Sequence, residues 1–265
     1  MYSSFELAVK YLGYYIKASN GKGHGTHSPF IFNFITAVLN DKTNYAEFEL
    51  VEGLRRELLM DSRTLEIEDF GAGSTKGSNS SRTIASLAKY AAKPRKYGQL
   101  LYRLAHHYSP ATILELGTSL GLTSAYLALA QPNARVITLE GANAVADIAA
   151  SNFQQLAIKN IEQVRGNFAE TLSPVFLRNP SIDLAFIDGN HREEPTIDYF
   201  NQLLPHTHND SILVFDDIHW SAGMEKAWAT IRAHESVRCS IDLFFIGILF
   251  FRKEFKEKQD FTIRF

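Results

Sequence analysis

The chain has 265 residues, enough to bury a full core as one large domain or as one domain with an extension. Its 45% apolar and 21% charged content is that of a globular protein, and a net charge of −2 gives no electrostatic case for nucleic acid or an anionic membrane as a partner. The single Cys239 excludes an internal disulfide and fits a reducing, cytoplasmic compartment; the start Met1-Tyr-Ser-Ser-Phe-Glu6 lacks the basic-then-apolar order of a signal peptide, and the most apolar run, residues 241–251, is too short to span a bilayer.

Residues 5–16 carry helical apolar spacing through Phe5, Val9, Leu12 and Ile16. A glycine and histidine loop follows, Gly21-Lys-Gly-His-Gly-Thr-His-Ser-Pro29, and Pro29 opens a second helix over 30–39 with Ser28 as its N-cap. A third helix is expected over 45–60. The Gly/Ser-rich stretch 71–81 reads as a loop, and a helix runs from Arg82 toward Ala92, stopping before Pro94. From Lys96 onward helix and strand alternate. Helices are expected over 98–108, 122–130, 144–156, 168–177, 195–204 and 224–235. Strands are expected over 112–116, 136–139, 161–164, 182–187 and 211–215. Residues 240–245 and 248–252 read as a hairpin turning at Ile246-Gly247, and 261–265 as a short terminal strand. Five strand–helix steps closed by a hairpin predict an α/β fold with a mostly parallel sheet covered on both faces. The expected division is an N-terminal helical cap over 1–95 and an α/β domain over 96–265.

In an open parallel sheet, ligands bind outside the carboxyl ends of the strands. Those ends here are Gly117, Glu140, Gly166-Asn167, Asp188 and Asp216-Asp217. The first is a glycine turn, Ile113-Leu-Glu-Leu-Gly-Thr-Ser-Leu-Gly121, set between strand and helix. Gly117 can take backbone angles closed to other residues, and Gly121 removes a side chain where loop and helix pack closely. The spacing is Glu-x-Gly-x-x-x-Gly rather than the Gly-x-Gly-x-x-Gly of dinucleotide enzymes. Glu140, at the end of the second strand, is placed to accept both hydroxyls of a ribose; its other reading is a solvated acid in a turn. Glu115 points toward the same crevice and suits an amine or sulfonium, or else partners a nearby backbone amide. Asn167 bonds an adenine edge, or Gly166-Asn167 is an ordinary turn.

Taken in order, Glu115-x-Gly117-x-x-x-Gly121, Glu140, Gly166-Asn167 and Asp188 resemble the class I S-adenosylmethionine-dependent methyltransferases. Tyr97-Gly-Gln-Leu-Leu101 ahead of Ile113-Leu-Glu-Leu-Gly-Thr118 resembles the catechol and caffeoyl-CoA O-methyltransferase type. Phe186-Ile-Asp-Gly-Asn-His191 with Phe215-Asp-Asp-Ile-His219 resembles the branch that methylates sugar hydroxyls of natural products. The likeness spans residues 96–252. Thr26-His-Ser-Pro-Phe30 and Asp216-Asp-Ile-His-Trp-Ser221 are similar to segments of an uncharacterised bacterial group of methyltransferase-like proteins. The resemblance implies a three-layer, Rossmann-like sheet with S-adenosylmethionine as cofactor. It places Glu115, Gly117, Thr118, Ser119, Gly121, Thr123, Glu140, Gly141, Asn167, Phe168 and Asp188 at that cofactor.

It also implies a divalent ion. In the resembled enzymes three side chains hold magnesium, one after the fourth strand and two adjacent ones after the fifth. Here those positions are Asp188, Asp216 and Asp217. Three hard oxygen ligands suit Mg²⁺ or Mn²⁺ and argue against zinc. Three acids together without a cation would repel, and a bound ion would lower the pKa of a coordinated hydroxyl. The other reading is that Asp216 and Asp217 cap a loop or the next helix. The resembled enzymes place a base two or three residues after the first ligand, where this chain has Asn190 and His191. Asn190 cannot act as a base; His191 can, since the imidazole side chain ordinarily titrates near ~6.5. His219 competes with it for a catalytic or ligand role. Trp220 is the expected substrate contact, while Trp228, on a helix with Met224 and Ile231, reads as core.

The expected activity is methyl transfer from S-adenosylmethionine to a hydroxyl of a small molecule. One rival is a non-catalytic S-adenosylmethionine-binding module, favoured by Asn190. Another is a nicotinamide-dependent oxidoreductase, opposed by the glycine spacing. Asp69-Phe-Gly-Ala-Gly-Ser74 looks like a second glycine loop, but Leu65-Glu-Ile-Glu68 before it is too charged for a buried central strand. It reads as a lid or substrate loop, or as a connector. His24-x-x-His27 has no further Cys or acidic ligand nearby and reads as loop histidines. No motif encodes the methyl acceptor or the oligomeric state, and a homodimer stays open.

Overall fold

The computed structural model describes residues 1–19, 21–23, 28–68 and 79–265. In chain order the elements are α1 (Ser4–Lys17), α2 (Pro29–Phe34) running into a π-helical turn (Ile35–Leu39), α3 (Ala46–Met60), β1 (Thr64–Glu68), β2 (Asn79–Thr83), α4 (Ile84–Tyr90) and α5 (Arg95–Tyr108). Then follow β3 (Thr112–Leu116), α6 (Leu122–Ala130), β4 (Arg135–Glu140), α7 (Asn143–Gln155), β5 (Ile161–Arg165), α8 (Phe168–Arg178), β6 (Leu184–Ile187) and α9 (Glu193–Leu203). The chain closes with β7 (Ile212–Asp216), α10 (Ala222–Ala233), β8 (Cys239–Asp242), β9 (Ile246–Phe250) and β10 (Gln259–Thr262). The fold class is the expected α/β one, with mostly parallel strands and an antiparallel hairpin, β8–β9, near the C-terminus. His24-x-x-His27 and the glycine-rich stretch 69–78 lie outside the described residues.

Two compact units form, Met1–Asn40 with Asn179–Phe265, and Asp41–Arg178. Neither boundary is at residue 95, because the N-terminal helices do not pack as one group. Helix α1 sets Leu7, Tyr11, Tyr14 and Ala18 against Phe244 and Phe245 of the first unit. Its N-terminus is closed by a capping box in which the Ser3 hydroxyl and the Glu6 carboxylate each bond the other's backbone N–H. Ser28 caps α2 as expected, and Phe30 and Phe34 meet Phe250 edge-on at 5.0 and 5.9 Å. Helix α3 instead belongs to the second unit, where Phe48 packs on Tyr102 and Tyr126, and the Tyr126 hydroxyl donates to the buried Glu52 carboxylate at 2.8 Å.

Within the 41–178 unit, β3, β4 and β5 pair in that order, all parallel. The residues of β3 and β4 are buried on both faces, as strands with helices on either side require. Strand β5 carries Glu162, Gln163 and Arg165 and is only half-buried, the composition of an edge. The charged Leu65–Glu68 run enters no central sheet: β1 pairs only with β2, antiparallel, among the described residues. Residues 79–83, expected as loop and helix start, are therefore a strand. The helix begins after Thr83, whose hydroxyl accepts the Ser86 N–H.

In the other unit β6 and β7 are parallel, β9 lies antiparallel between β7 and β8, and β10 runs parallel to β8. The hairpin turns at residues 243–245, not at Ile246-Gly247. Asp242 Oδ1 accepts the Phe244 N–H at 2.8 Å, and Phe244 takes a left-handed backbone with φ 72°. Gly247 sits inside β9 for a different reason: a Cβ there would lie 2.6 Å from the Trp228 ring. Trp228 is thus core, as its helix spacing suggests.

Candidate functional site

The 41–178 unit builds a tight glycine turn from backbone hydrogen bonds. Strand β3 ends at Leu116, and the N–H groups of Gly117 and Thr118 both donate to Leu139 O of β4 at 3.0 Å. The chain then turns tightly, with Gly121 N–H on Thr118 O at 2.8 Å, and enters α6. Gly121 has φ 79°, and a Cβ on it would lie 2.5 Å from the Phe153 ring of α7. Both requirements exclude a larger residue. Asn152 of α7, buried and not singled out by any motif, donates its side-chain amide to Leu120 O at 2.8 Å and holds the loop from behind.

Glu140 ends β4 and is not a solvated acid. Its Oε2 accepts the Ser119 N–H at 2.8 Å and its Oε1 the Ala142 N–H at 2.9 Å. Burial raises its pKa, while those backbone amides and that of Gly141 pull the other way. A carboxylate has about four lone-pair positions, so these amides leave at least one for a ligand. The Gly166 N–H donates to Glu140 O at 2.9 Å, which ties the end of β5 to the same place. Asn167, exposed on that turn, accepts the Ala169 N–H at 3.0 Å and so caps α8, which Phe168 opens.

Glu115 departs from its expected orientation. It is fully buried and accepts the hydroxyls of Ser124 and, at 2.6 Å, Thr138. Burial pushes its carboxyl up to about 7, against the two hydroxyl donors that favour the charged form. Its Oε1 meets no hydrogen-bond partner among the described residues. Thr118, also buried, lies with its hydroxyl 2.6 Å from that of Thr138. Thr118, Thr138, Glu115 and Ser124 therefore form a polar thread beneath the loop. Like Asn152, Thr138 and Ser124 belong to no motif; the one signal in the sequence is a threonine at a buried position inside the aliphatic strand Val136–Leu139. Thr123, on the first turn of α6, is buried as well.

The other unit places its acids with side chains. Asp188 follows β6, and Asp216 is the last residue of β7, 1% exposed. Between β6 and α9 the backbone doubles back: Asn190 and His191 have φ 70° and 37°, and the His191 N–H donates to Gly189 O. Asn190 fixes this turn by donating to the Tyr199 hydroxyl and accepting from Arg192 Nε. The turn brings His191 Nε2 to 3.5 Å from Asp188 Oδ1. Ligating atoms of Asp188, His191 and Asp216 all lie within 4.8 Å of one another. Asp217, with φ 53°, falls outside that trio and approaches the opposite ring nitrogen, His191 Nδ1, at 3.9 Å.

His219 has a different role from the one expected. Its Nδ1 lies 2.9 Å from Glu225 Oε1 and its Nε2 2.9 Å from Asp242 Oδ2, so both ring nitrogens are taken within the protein. Burial disfavours its charged form, but the two carboxylates outweigh that and raise its pKa. Glu225 also accepts from Lys10 and from the Tyr2 hydroxyl. Trp220 is half-buried on this loop, with its carbonyl accepting the Tyr2 N–H.

A family model described as a methyltransferase domain matches residues 114–218. A catechol O-methyltransferase of Niastella koreensis is 30% identical over 124 residues, covering 46% of this chain and 55% of its own length. The chain thus spans about half the length of the curated relatives it matches. Among solved structures, an O-methyltransferase from Bacillus cereus in complex with SAH aligns over 83% of this chain and 97% of its own, with TM-score 0.56 and 19% identity. An SAH-bound methyltransferase from Podospora anserina aligns over 95% and 98%, with TM-score 0.59 and 13% identity. The matched segment runs from the end of β3, through the glycine turn and Glu140, to the acids after β7. Residues 114–218 thus match a methyltransferase domain, and the chain shares its fold with SAH-bound methyltransferases of known structure.

Proposed function

We propose that this chain transfers the methyl group of S-adenosylmethionine to a hydroxyl of a small molecule, with a divalent ion held by Asp188 and Asp216 beside His191. That cluster carries the reading. Two carboxylates, one of them almost fully buried, stand beside an imidazole within 4.8 Å. Their mutual repulsion and desolvation favour a cation among them. The donor set fits one: the carboxylates suit Mg²⁺ or Mn²⁺, and an imidazole acting as third ligand would tilt the choice toward Mn²⁺. When bound, such an ion would polarise a hydroxyl and lower its pKa, while the sulfonium of S-adenosylmethionine supplies the methyl group. Glu140 accepts ribose hydroxyls with the lone pairs that Ser119 and Ala142 leave open. The glycine turn keeps side chains out of the cofactor's way. Asp188 orients His191, and His191 takes the acceptor's proton. Holding the reacting atoms in line supplies the larger part of the rate. The catechol O-methyltransferase relatives support an acceptor with catechol-like hydroxyls.

The position of His191 inside the trio favours a second assignment, in which it is the third ion ligand and not the base. Three measurements test the proposal. Calorimetry should show binding of S-adenosylhomocysteine; no binding sinks the whole reading. A Mn²⁺ titration should lose its signal in Asp216→Ala while cofactor binding persists; an unchanged titration removes the ion. His191→Asn separates the two roles: a base leaves ion affinity intact and loses turnover on catechols, whereas a ligand loses both. Cofactor binding with no product across catechols, sugars and lipid hydroxyls would make the chain a binding module.

A further inference from the structure

Helix α1 is apolar on two sides. One stripe, Leu7, Tyr11, Tyr14 and Ala18, is covered by Phe244 and Phe245. The other is open: Phe5 is 78% exposed, Val9 55%, Leu12 59% and Ile16 68%, flanked by Met1 at 84% and Tyr15 at 48%. Single exposed apolar residues need no explanation, but a contiguous row along one 14-residue helix does. The row steps by four, three and four residues, the 3.5-residue period of a seam between two helices.

We propose that this stripe is where two copies of the chain associate, α1 against α1, antiparallel about a two-fold axis. The surface is large enough. Aromatic side chains bring about 150–250 Å² each, so these exposures leave on the order of 700 Å² uncovered, against about 800 Å² per partner in a standard interface. A two-fold contact is self-complementary, and a second copy carries the same stripe. Antiparallel alignment sets Phe5 against Ile16 and Val9 against Leu12 of the second copy. Charge fixes the direction. Glu6 lies in the first turn of α1 and Lys17 in the last. Antiparallel packing brings opposite charges together and opposes the helix dipoles, whereas parallel packing stacks like on like. A membrane surface fits less well, because it calls for a basic polar face. Lys10 is already held by Glu225 at 2.9 Å, which leaves Lys17 against Glu6.

The test is the solution mass of the full chain. Sedimentation equilibrium should give about twice 29.8 kDa, and Leu12→Glu should return the chain to monomer with an unchanged thermal melt. A monomeric wild type at the highest soluble concentration, or a dimer indifferent to Leu12→Glu, overturns the proposal. Direction is read by cysteine cross-linking, which has a clean background: Cys239 is the sole cysteine, fully buried, with its thiol pushed up to about 12 by burial. Oxidised Val9→Cys/Leu12→Cys should give a covalent dimer and Val9→Cys alone should not. A cross-link through Val9→Cys alone overturns the antiparallel arrangement. A monomer that binds anionic phosphatidylserine vesicles, and loses that binding in Leu12→Glu, assigns the stripe to membrane instead.

Discussion

The glycine turn of the 41–178 unit and the acid cluster of the other unit are built by opposite means. In the first, backbone amides do the positioning: Ser119 and Ala142 hold Glu140, and Leu139 O receives two N–H groups at once. In the second, side chains do it, presented by turns on which Asn190, His191 and Asp217 all adopt left-handed backbone. A backbone-built site depends on where glycines stand and tolerates most other changes. A side-chain-built site depends on charge and on which groups converge. The two ends should therefore fail separately.

The largest effect tests that separation directly. His191→Asn should lower kcat by roughly 10²- to 10⁴-fold in initial-rate assays at saturating cofactor, the usual contribution of a general base. Affinity for S-adenosylhomocysteine should stay unchanged, and an equal loss of it would break the division between the ends. Glu115 comes next. The unfolded chain loses that proton near the ordinary value of 4.5 and the folded one keeps it to about 7. The folded state then binds more protons between the two, so stability falls as pH rises through that window, by about 3 kcal/mol, and levels off above it. Urea titrations from below pH 4.5 to pH 8 read the slope, and Glu115→Gln should flatten it. Glu140→Gln should weaken cofactor binding by roughly 10- to 100-fold, the range of a charged hydrogen bond, without moving a Mn²⁺ titration. Gly121→Ala meets both the positive φ and the Phe153 ring. It should cost about 1–3 kcal/mol in urea denaturation, with the acid cluster again unaffected.

Legibility in the sequence follows the same divide. Strand ends and the glycine turn could be read because period, burial and the need for φ above zero are local properties of the chain. Gly117 takes the positive φ expected of it, 105°, and Gly121 shows the close packing expected of it together with a positive φ of its own. Glu115 could not be placed: a strand residue faces one side or the other, and its neighbours Ser124 and Thr138 become visible only once β4 and α6 are packed. The acids after β6 and β7 were legible as strand ends. Which of them meet was not, because the left-handed turn at Asn190-His191 draws the imidazole inward and leaves Asp217 on its far side. His219 reads in the sequence as a rival of His191 for a catalytic or ligand role, since its two partners, Glu225 and Asp242, come from a later helix and strand. The hairpin turn was misplaced because Gly247 was read as a turn residue, when Trp228 needs the space.

The two compact units differ in how the chain supplies them, and this sets an order of assembly. The 41–178 unit is one continuous stretch, so its parallel strands and glycine turn can form as soon as that stretch has left the ribosome. The other unit joins residues 1–40 to 179–265. Ser19 pairs there with Ile263, and the Tyr14 hydroxyl donates to the Ile263 carbonyl. Those contacts close a loop of more than two hundred residues and must wait for the last strand to be synthesised. Until then α1 has neither of its apolar stripes covered. Nascent chains stalled before Phe244 should accordingly show a protease-resistant 41–178 segment behind a cleavable N-terminal helix.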